Sequence, residues 1–202
     1  MQRAAAPATP ASAPEEDRGL VDRARAGDAG AFEALVRRYQ AWVFTLALRM
    51  VGDRGEAEDV SQEVFLKAYR GLNTFRGASR FSTWLYAIAT HHCLNHLQAR
   101  ARRPRPAGGA GAAADDPPDI VDRLPDGAPR ADALLERADL ERIVQAELQG
   151  LTEEQRAILV LRDIQGLAYE EIAQALGLEL GTVRSRLHRA RMALKARLAP
   201  HL

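Results

Sequence analysis

Between Pro104 and Arg130 the chain carries six prolines, several glycines, the run DDPPD and few large apolar residues. Prolines remove helix donors, and a segment without an apolar stripe has nothing to bury, so these residues read as a linker with no core of its own. The linker divides 202 residues into two blocks, 19–103 and 131–202, each long enough for one small domain. Residues 1–18, rich in alanine, proline and acids, read as a disordered tail.

Both blocks show a helical period and no strand signal. A short helix after Gly19 (Leu20, Val21, Ala24) precedes a long one with Phe32, Leu35, Val36, Tyr39, Val43, Leu46, Ala47 and Met50 on one stripe. Gly52 and Asp53 stop it. The next helix, residues 56–70, aligns Ala57, Val60, Val64 and Ala68, and a fourth is expected from an N-cap at Ser82 to Arg103. After the linker, Leu140, Ile143, Val144, Leu148 and Leu151 mark a helix, and Thr152 with Gln155 forms a capping box for another. The expected fold is all-α: two small helical domains joined by a flexible linker.

Residues 167–198 carry the clearest chemical signal. Glu170 and Glu171 suit the positive end of a short helix whose stripe is Ile172, Ala173 and Leu176, and Gly177 is a natural left-handed cap. A second helix buries Val183, Leu187, Ala190 and Leu194 and leaves Arg184, Arg186, Arg189, Arg191, Lys195 and Arg197 on its other sides. Thr182, Ser185 and Arg186 stand at its N-terminal end, where a helix-turn-helix meets base edges. Taken alone, a basic run is equally well a solvated helix face.

Composition narrows the function classes. The formal net charge is only +1, so local clustering rather than total charge points to nucleic acid. The single cysteine, Cys93, excludes an internal disulfide. No apolar run approaches the roughly 18–20 residues needed to cross a bilayer and no hydrophobic signal core opens the chain, so a cytoplasmic protein is expected. An enzyme acting on nucleic acid is disfavoured: the carboxylates are dispersed, no phosphate-binding glycine loop is present, and no nucleophile has a His and acid pair.

Three motifs in register, AEDVSQEVFLKAYR at 57–70, FRGASRFSTWL at 75–85 and GTVRSR at 181–186, resemble the extracytoplasmic-function (ECF) sigma factors of bacterial RNA polymerase, sigma-70 family, near the sigma-E-like group. The resemblance covers roughly residues 19–103 and 131–198. It implies sigma region 2 in the first block (core polymerase binding, minus-ten recognition and melting) and a helix-turn-helix sigma region 4 in the second (minus-thirty-five recognition). The implied function is an alternative sigma factor that directs promoter recognition and transcription initiation; the alternative is a stand-alone helix-turn-helix regulator, which would leave residues 57–85 without a task.

The resemblance also assigns roles. Asp59, Gln62, Glu63 and Phe65 would contact the clamp helices of the polymerase largest subunit, and the second block would meet the flap of the second-largest subunit. Arg76, Ser79, Arg80, Phe81 and Trp84 would meet the melting strand, with Asn95, Arg100 and Arg103 beyond them. Unstacked bases need aromatic partners at roughly 1–3 kcal/mol each, together with phosphate neutralisation. Core packing is an equal alternative for Trp84 and Leu85. Thr182, Arg184, Ser185, Arg186, His188 and Arg189 would read the upstream element. An anti-sigma factor is the further implied partner, and no cofactor is expected.

Some positions depart from the family pattern. His91, His92 and Cys93 replace Asn and small residues, which leaves the preferred minus-ten sequence open. His92, Cys93 and His96 lie within one helical turn, yet a metal would need a fourth ligand and none is evident, so no metal is assigned. Ala168 stands at an expected Ser or Thr N-cap, and Glu179 replaces a turn proline. If the domains read elements two helical turns apart, they must span about 70 Å. The 27-residue linker has a relaxed span of about 30 Å and a contour reach of about 90 Å. It reaches only when stretched, so free protein is expected to bind promoters poorly.

Overall fold

The structure, a computed structural model, describes residues 14–102 and 131–201. The linker, Arg103 and residues 1–13 lie outside the described residues. Among the described residues there are helices and no strands: α1 (Pro14–Arg25), α2 (Ala29–Val51), α3 (Arg54–Gly71), α4 (Phe81–Arg102), α5 (Ala131–Gln149), α6 (Glu153–Leu159), α7 (Tyr169–Leu176) and α8 (Leu180–Leu198).

Local chemistry sets the boundaries. Asp28 caps α2 by accepting the Ala31 N–H at 3.1 Å, and Asp53 caps α3 by accepting that of Glu56 at 2.8 Å. Between them Gly52 ends α2 at φ +84°, a left-handed conformation that favours glycine. The capping box of Thr152 and Gln155 is present, with both bonds at 3.3 Å.

Two boundaries differ from the sequence expectation. The first helix starts at Pro14, not Gly19, because Asp17 is an anchor rather than part of a tail: it is buried, accepts the Tyr39 hydroxyl, and pairs with Arg38 at 2.6 Å. A buried carboxylate held by two donors on α2 fixes the turns around it. Ser82 is not the N-cap of α4. The Arg80 carbonyl already accepts the Trp84 N–H at 3.1 Å, which leaves Ser82 buried in the first turn.

α1 to α4 form one bundle, in which the stripe Ala57, Val60, Val64 and Ala68 of α3 is wholly buried beside Leu35, Tyr39, Trp42 and Met50 of α2. Trp42 belongs to this stripe by spacing, three residues after Tyr39. α5 to α8 form the second bundle, around Leu148, Ile158, Leu161, Ile172, Val183 and Leu187. α6 runs on into a widened π turn, Val160–Ile164, closed by Gln165 N–H on the Val160 carbonyl at 2.8 Å.

The two bundles lie directly against each other, α7 on α4 and α5 on the end of α2. Gln145 and Gln149, one turn apart on α5, donate to the carbonyls of Leu48 and Arg49 at 3.1 Å each. Arg156 donates to the Met50 carbonyl. Three side chains of the second bundle thus bond the last carbonyls of α2; that of Leu48 also accepts the capping Gly52 N–H at 2.9 Å, while helix geometry leaves those of Arg49 and Met50 without a partner inside α2.

Candidate nucleic-acid interface

The second bundle builds a helix-turn-helix from α7 and α8. Gly177 ends α7 at φ +63°, and its N–H and that of Leu178 return to carbonyls of α7, turning the chain sharply. Ala168 offers no side-chain cap, but Glu171 recovers half a capping box: its carboxylate accepts the Ala168 N–H at 2.9 Å. Glu179 precedes α8 with no side-chain bond to it. Val183, Leu187 and Ala190 pack inward, so Arg184, Ser185, His188 and Arg189 face solvent and Thr182 lies at the edge.

The arginines of α8 fall into two groups that sequence spacing treats alike. Arg191 is held by both oxygens of Asp163, a fork that keeps its guanidinium above the usual arginine range. Arg197 pairs with Glu147 at 2.9 Å and Arg186 with the exposed Glu154 at 3.1 Å. Among the described residues no carboxylate pairs with Arg184, Arg189 or Lys195. Arg189 is seen, among the described residues, to donate to one backbone carbonyl, that of Ser185. These are the cations free to meet phosphates.

In the first bundle, Arg76, Ser79 and Arg80 lie in the loop before α4, with Arg76 and Arg80 exposed. Phe81 does not line an open surface. It is 4% exposed, with ring centroids 5.6 Å from Tyr39, 6.0 Å from Phe75 and 5.7 Å from Trp84. An aromatic with neighbours on three sides belongs to the core, and this corrects its expected role at the DNA face. Trp84 is half-buried and borders a groove with Lys67, Gly71, Thr74, Ile88, His91 and Asn95. Arg100 is exposed but engaged by Glu56 at 2.9 Å. Arg103 lies outside the described residues.

The histidines do not converge with Cys93. His92 faces the Lys67 ammonium at 2.7 Å, His91 bonds the Ala87 carbonyl at 2.7 Å, and His96 meets Glu56 at 3.2 Å. Burial, then the Lys67 charge, hold His92 below the usual imidazole range. Cys93 is fully buried, and burial pushes its thiol up to about 12. Among the described residues no three His, Cys, Asp or Glu side chains are grouped to hold an ion.

On α3, Asp59, Gln62 and Glu63 are exposed and Phe65 is half-buried against the core. Leu66 and Tyr69 are 47% and 54% exposed. Leu66 lies seven residues after Asp59, so acids, an amide and apolar groups share one stripe. Neither residue was expected at this face, although counting one heptad from Asp59 finds Leu66. Tyr69 is steadied edge-on by Phe32, with centroids 4.9 Å apart.

Residues 35–103 match the family model for Sigma-70 region 2, and residues 141–194 that for Sigma-70, region 4. The RNA polymerase sigma-H factor of Pseudomonas aeruginosa is 44% identical over 93% of this chain and 96% of its own length. The ECF RNA polymerase sigma-E factor of Escherichia coli is 41% identical over 91% of this chain and 95% of its own. Among solved structures, CnrH in complex with the cytosolic domain of CnrY superposes with a TM-score of 0.65 at 26% identity, covering 92% of this chain and 98% of that one. The sigma factor RpoE bound to the anti-sigma factor NepR from Bartonella quintana gives 0.63 at 22% identity, over 83% of this chain and 96% of that one, and shares the fold.

Proposed function

The chain belongs to the ECF sigma factors of RNA polymerase, and from that membership we propose how its parts divide the work. As a sigma factor it binds core polymerase and directs promoter recognition, DNA melting and transcription initiation. The reading as a lone helix-turn-helix regulator is not favoured.

Residues 19–103, to which α1 adds from Pro14, act as region 2. The stripe of Asp59, Gln62, Glu63 and Leu66, with Phe65 behind it, docks on the clamp helices; exposed acids beside apolar groups suit a basic helical partner. Arg76, Ser79, Arg80, Trp84 and Asn95 hold the melted minus-ten strand, with Arg100 and Arg103 on phosphates once Glu56 is displaced. Residues 131–202 act as region 4. Arg184 and Arg189 lead the minus-thirty-five contacts, and Thr182, Ser185, Arg186 and His188 complete them. The linker, residues 104–130, spans the two.

One observation carries this division: the α3 stripe and the unpaired cations of α8 sit on different bundles, each exposed and each within its own family match. A factor that joins polymerase to a divided promoter needs two such faces. The protein works through binding, with no catalytic residue of its own and no cofactor or metal, and it acts in the cytoplasm. No helix among the described residues is long and apolar enough to cross a membrane. CnrH was solved with a cytosolic protein segment bound, which supports an anti-sigma partner for this chain as well.

Reconstitution tests the reading. Core polymerase plus this protein should yield a defined transcript from a promoter upstream of the chain's own operon, whereas core alone should not. A protein that binds that DNA but supports no transcript would be a regulator instead.

A further inference from the structure

The groove between α3 and α4 measures about 430 Å³ and is lined from α4 by Trp84, His91 and Asn95 and from α3 by Lys67. Spacings of seven and four residues put the three α4 side chains on one helical face. Sites of roughly 300–1,000 Å³ take small molecules, so one unstacked base can be accommodated. None of the described residues lining the groove is acidic, which suits a polyanion. Phe75 and Phe81 steady the half-buried Trp84, with ring centroids 5.3 Å and 5.7 Å away, and a steadied indole is a stacking surface for any base.

Two neighbouring histidines on this groove hold their protons on opposite nitrogens. His91 Nδ1 lies 2.7 Å from the Ala87 carbonyl. A carbonyl only accepts, so Nδ1 carries the proton and Nε2 is left as an acceptor. His92 Nδ1 lies 2.7 Å from the Lys67 ammonium. An ammonium only donates, so here the proton is on Nε2. The same bond holds Lys67 beside the groove and leaves two further N–H donors on its nitrogen. His91 is exposed and His92 half-buried; the acceptor is therefore the one a base can reach.

We propose that this groove takes one unstacked base of the minus-ten strand and that His91 selects an exocyclic amino group, that of adenine or cytosine, by accepting its N–H at Nε2. The proposal rests on the assignment of Trp84 and Asn95 to the melted strand. Trp84 stacks on the ring and Lys67 neutralises a flanking phosphate, contacts that every base can make. Thymine and guanine present a carbonyl oxygen in place of the amino group, so two acceptors meet and neither is paired. Asn95 cannot make this choice alone, because an amide can turn to offer either a donor or an acceptor. A histidine held in one tautomer cannot.

Strand binding by assembled holoenzyme tests it, with the non-template strand of the promoter transcribed in the reconstitution above. Each adenine is replaced in turn by purine, and each cytosine by 2-pyrimidinone, which removes the amino group and leaves the ring. At one position the replacement should weaken binding to the wild-type chain about five- to tenfold, and binding to His91→Ala less than about twofold. At that position thymine or guanine should also bind the wild-type chain about tenfold worse, whereas His91→Asn, with an amide that can turn, should take either kind of base within about threefold. His91 is exposed, so neither substitution disturbs the core. The proposal is overturned if no amino group matters more to the wild-type chain than to His91→Ala, or if His91→Asn keeps the wild-type preference. The strand assignment fails in a different way: Trp84→Ala and Asn95→Ala would then leave affinity for the unaltered strand unchanged. Affinity lost in both, with no coupling to His91, overturns the base choice and leaves the strand assignment standing.

Discussion

Arg156 reaches from α6 to the carbonyl of Met50, 106 residues earlier in the chain. Its other bonds go to the carbonyls of Leu148, Gln149 and Leu151 and to the Gln149 side chain. A guanidinium has five N–H donors, and here five oxygens receive them. No carboxylate is among them, and burial lowers the Arg156 pKa from the usual arginine range. The Glu153 carboxylate nearby offsets part of that cost, and the negative ends of α2 and α5, where helix dipoles favour a cation, act in the same direction.

Arg156→Ala should therefore destabilise the protein by about 2–4 kcal/mol, since several buried carbonyls lose a charged donor at once. Arg156→Lys should recover little of this, because three donors on one nitrogen cannot serve five separated oxygens. Urea denaturation of both variants checks the prediction; a loss below about 0.5 kcal/mol in each would refute the clasp.

Arg184→Ala should weaken upstream-element binding about tenfold and reduce the salt slope by about one phosphate contact. Arg191→Ala should change it far less, because Asp163 already occupies that guanidinium. Anisotropy titrations over a salt series separate the two. Equal losses would mean that the Asp163 fork opens on DNA.

Leu66→Asp should weaken core polymerase binding at least tenfold while leaving the unfolding free energy within about 0.5 kcal/mol of wild type, as expected for a half-exposed side chain. Asp59→Ala and Gln62→Ala should also reduce core binding and spare upstream DNA affinity. Competition binding against the wild-type factor reads all three.

His92 lies below its usual pKa of 6.5 in the folded protein, through burial first and the Lys67 ammonium second. The unfolded chain then binds more protons than the native one in the window below 6.5, so stability rises with pH there. The contribution of neutral His92 is complete above 6.5 and is lost as pH falls through the folded pKa. Glu63 acts in the opposite direction and His96 in the same one. His92→Gln should flatten this part of the stability profile; an unchanged pH slope would show that other groups set it.

Cys93 should not react with a thiol reagent in the native state, because its thiol is fully buried and its pKa is raised to about 12. Labelling should appear only at denaturant concentrations that unfold α4.

Much of this arrangement is written in local patterns. Asp28, Gly52, Asp53, Thr152 and Gly177 announce helix ends because capping is decided within four residues, and the α3 stripe is visible because its period is regular. Features that depend on tertiary partners are not legible in this way. Asp17 looks like tail until Tyr39 and Arg38 are seen beside it. Phe81 looks like a base-stacking aromatic until Tyr39, Phe75 and Trp84 enclose it. The arginines of α8 look equivalent until Asp163, Glu147 and Glu154 claim three of them. Arg156, in an acidic first turn, gives no sign that it crosses to the other bundle.

The crossing contacts at the end of α2 have one consequence for how such proteins change over generations. Gln145, Gln149 and Arg156 recognise backbone carbonyls, which every residue type possesses. Leu48 and Met50 can therefore be replaced without these bonds demanding a matching change across the seam between the bundles; Arg49 is the exception, because its guanidinium also donates to the Gln145 side-chain oxygen at 2.9 Å. The same indifference favours exchange at this end of the seam: a chimera joining this second bundle to the first bundle of a relative should dock correctly where the final turn of α2 keeps its geometry and Arg49, Arg80 and Thr83, the side-chain partners of Gln145 and Glu171, are retained.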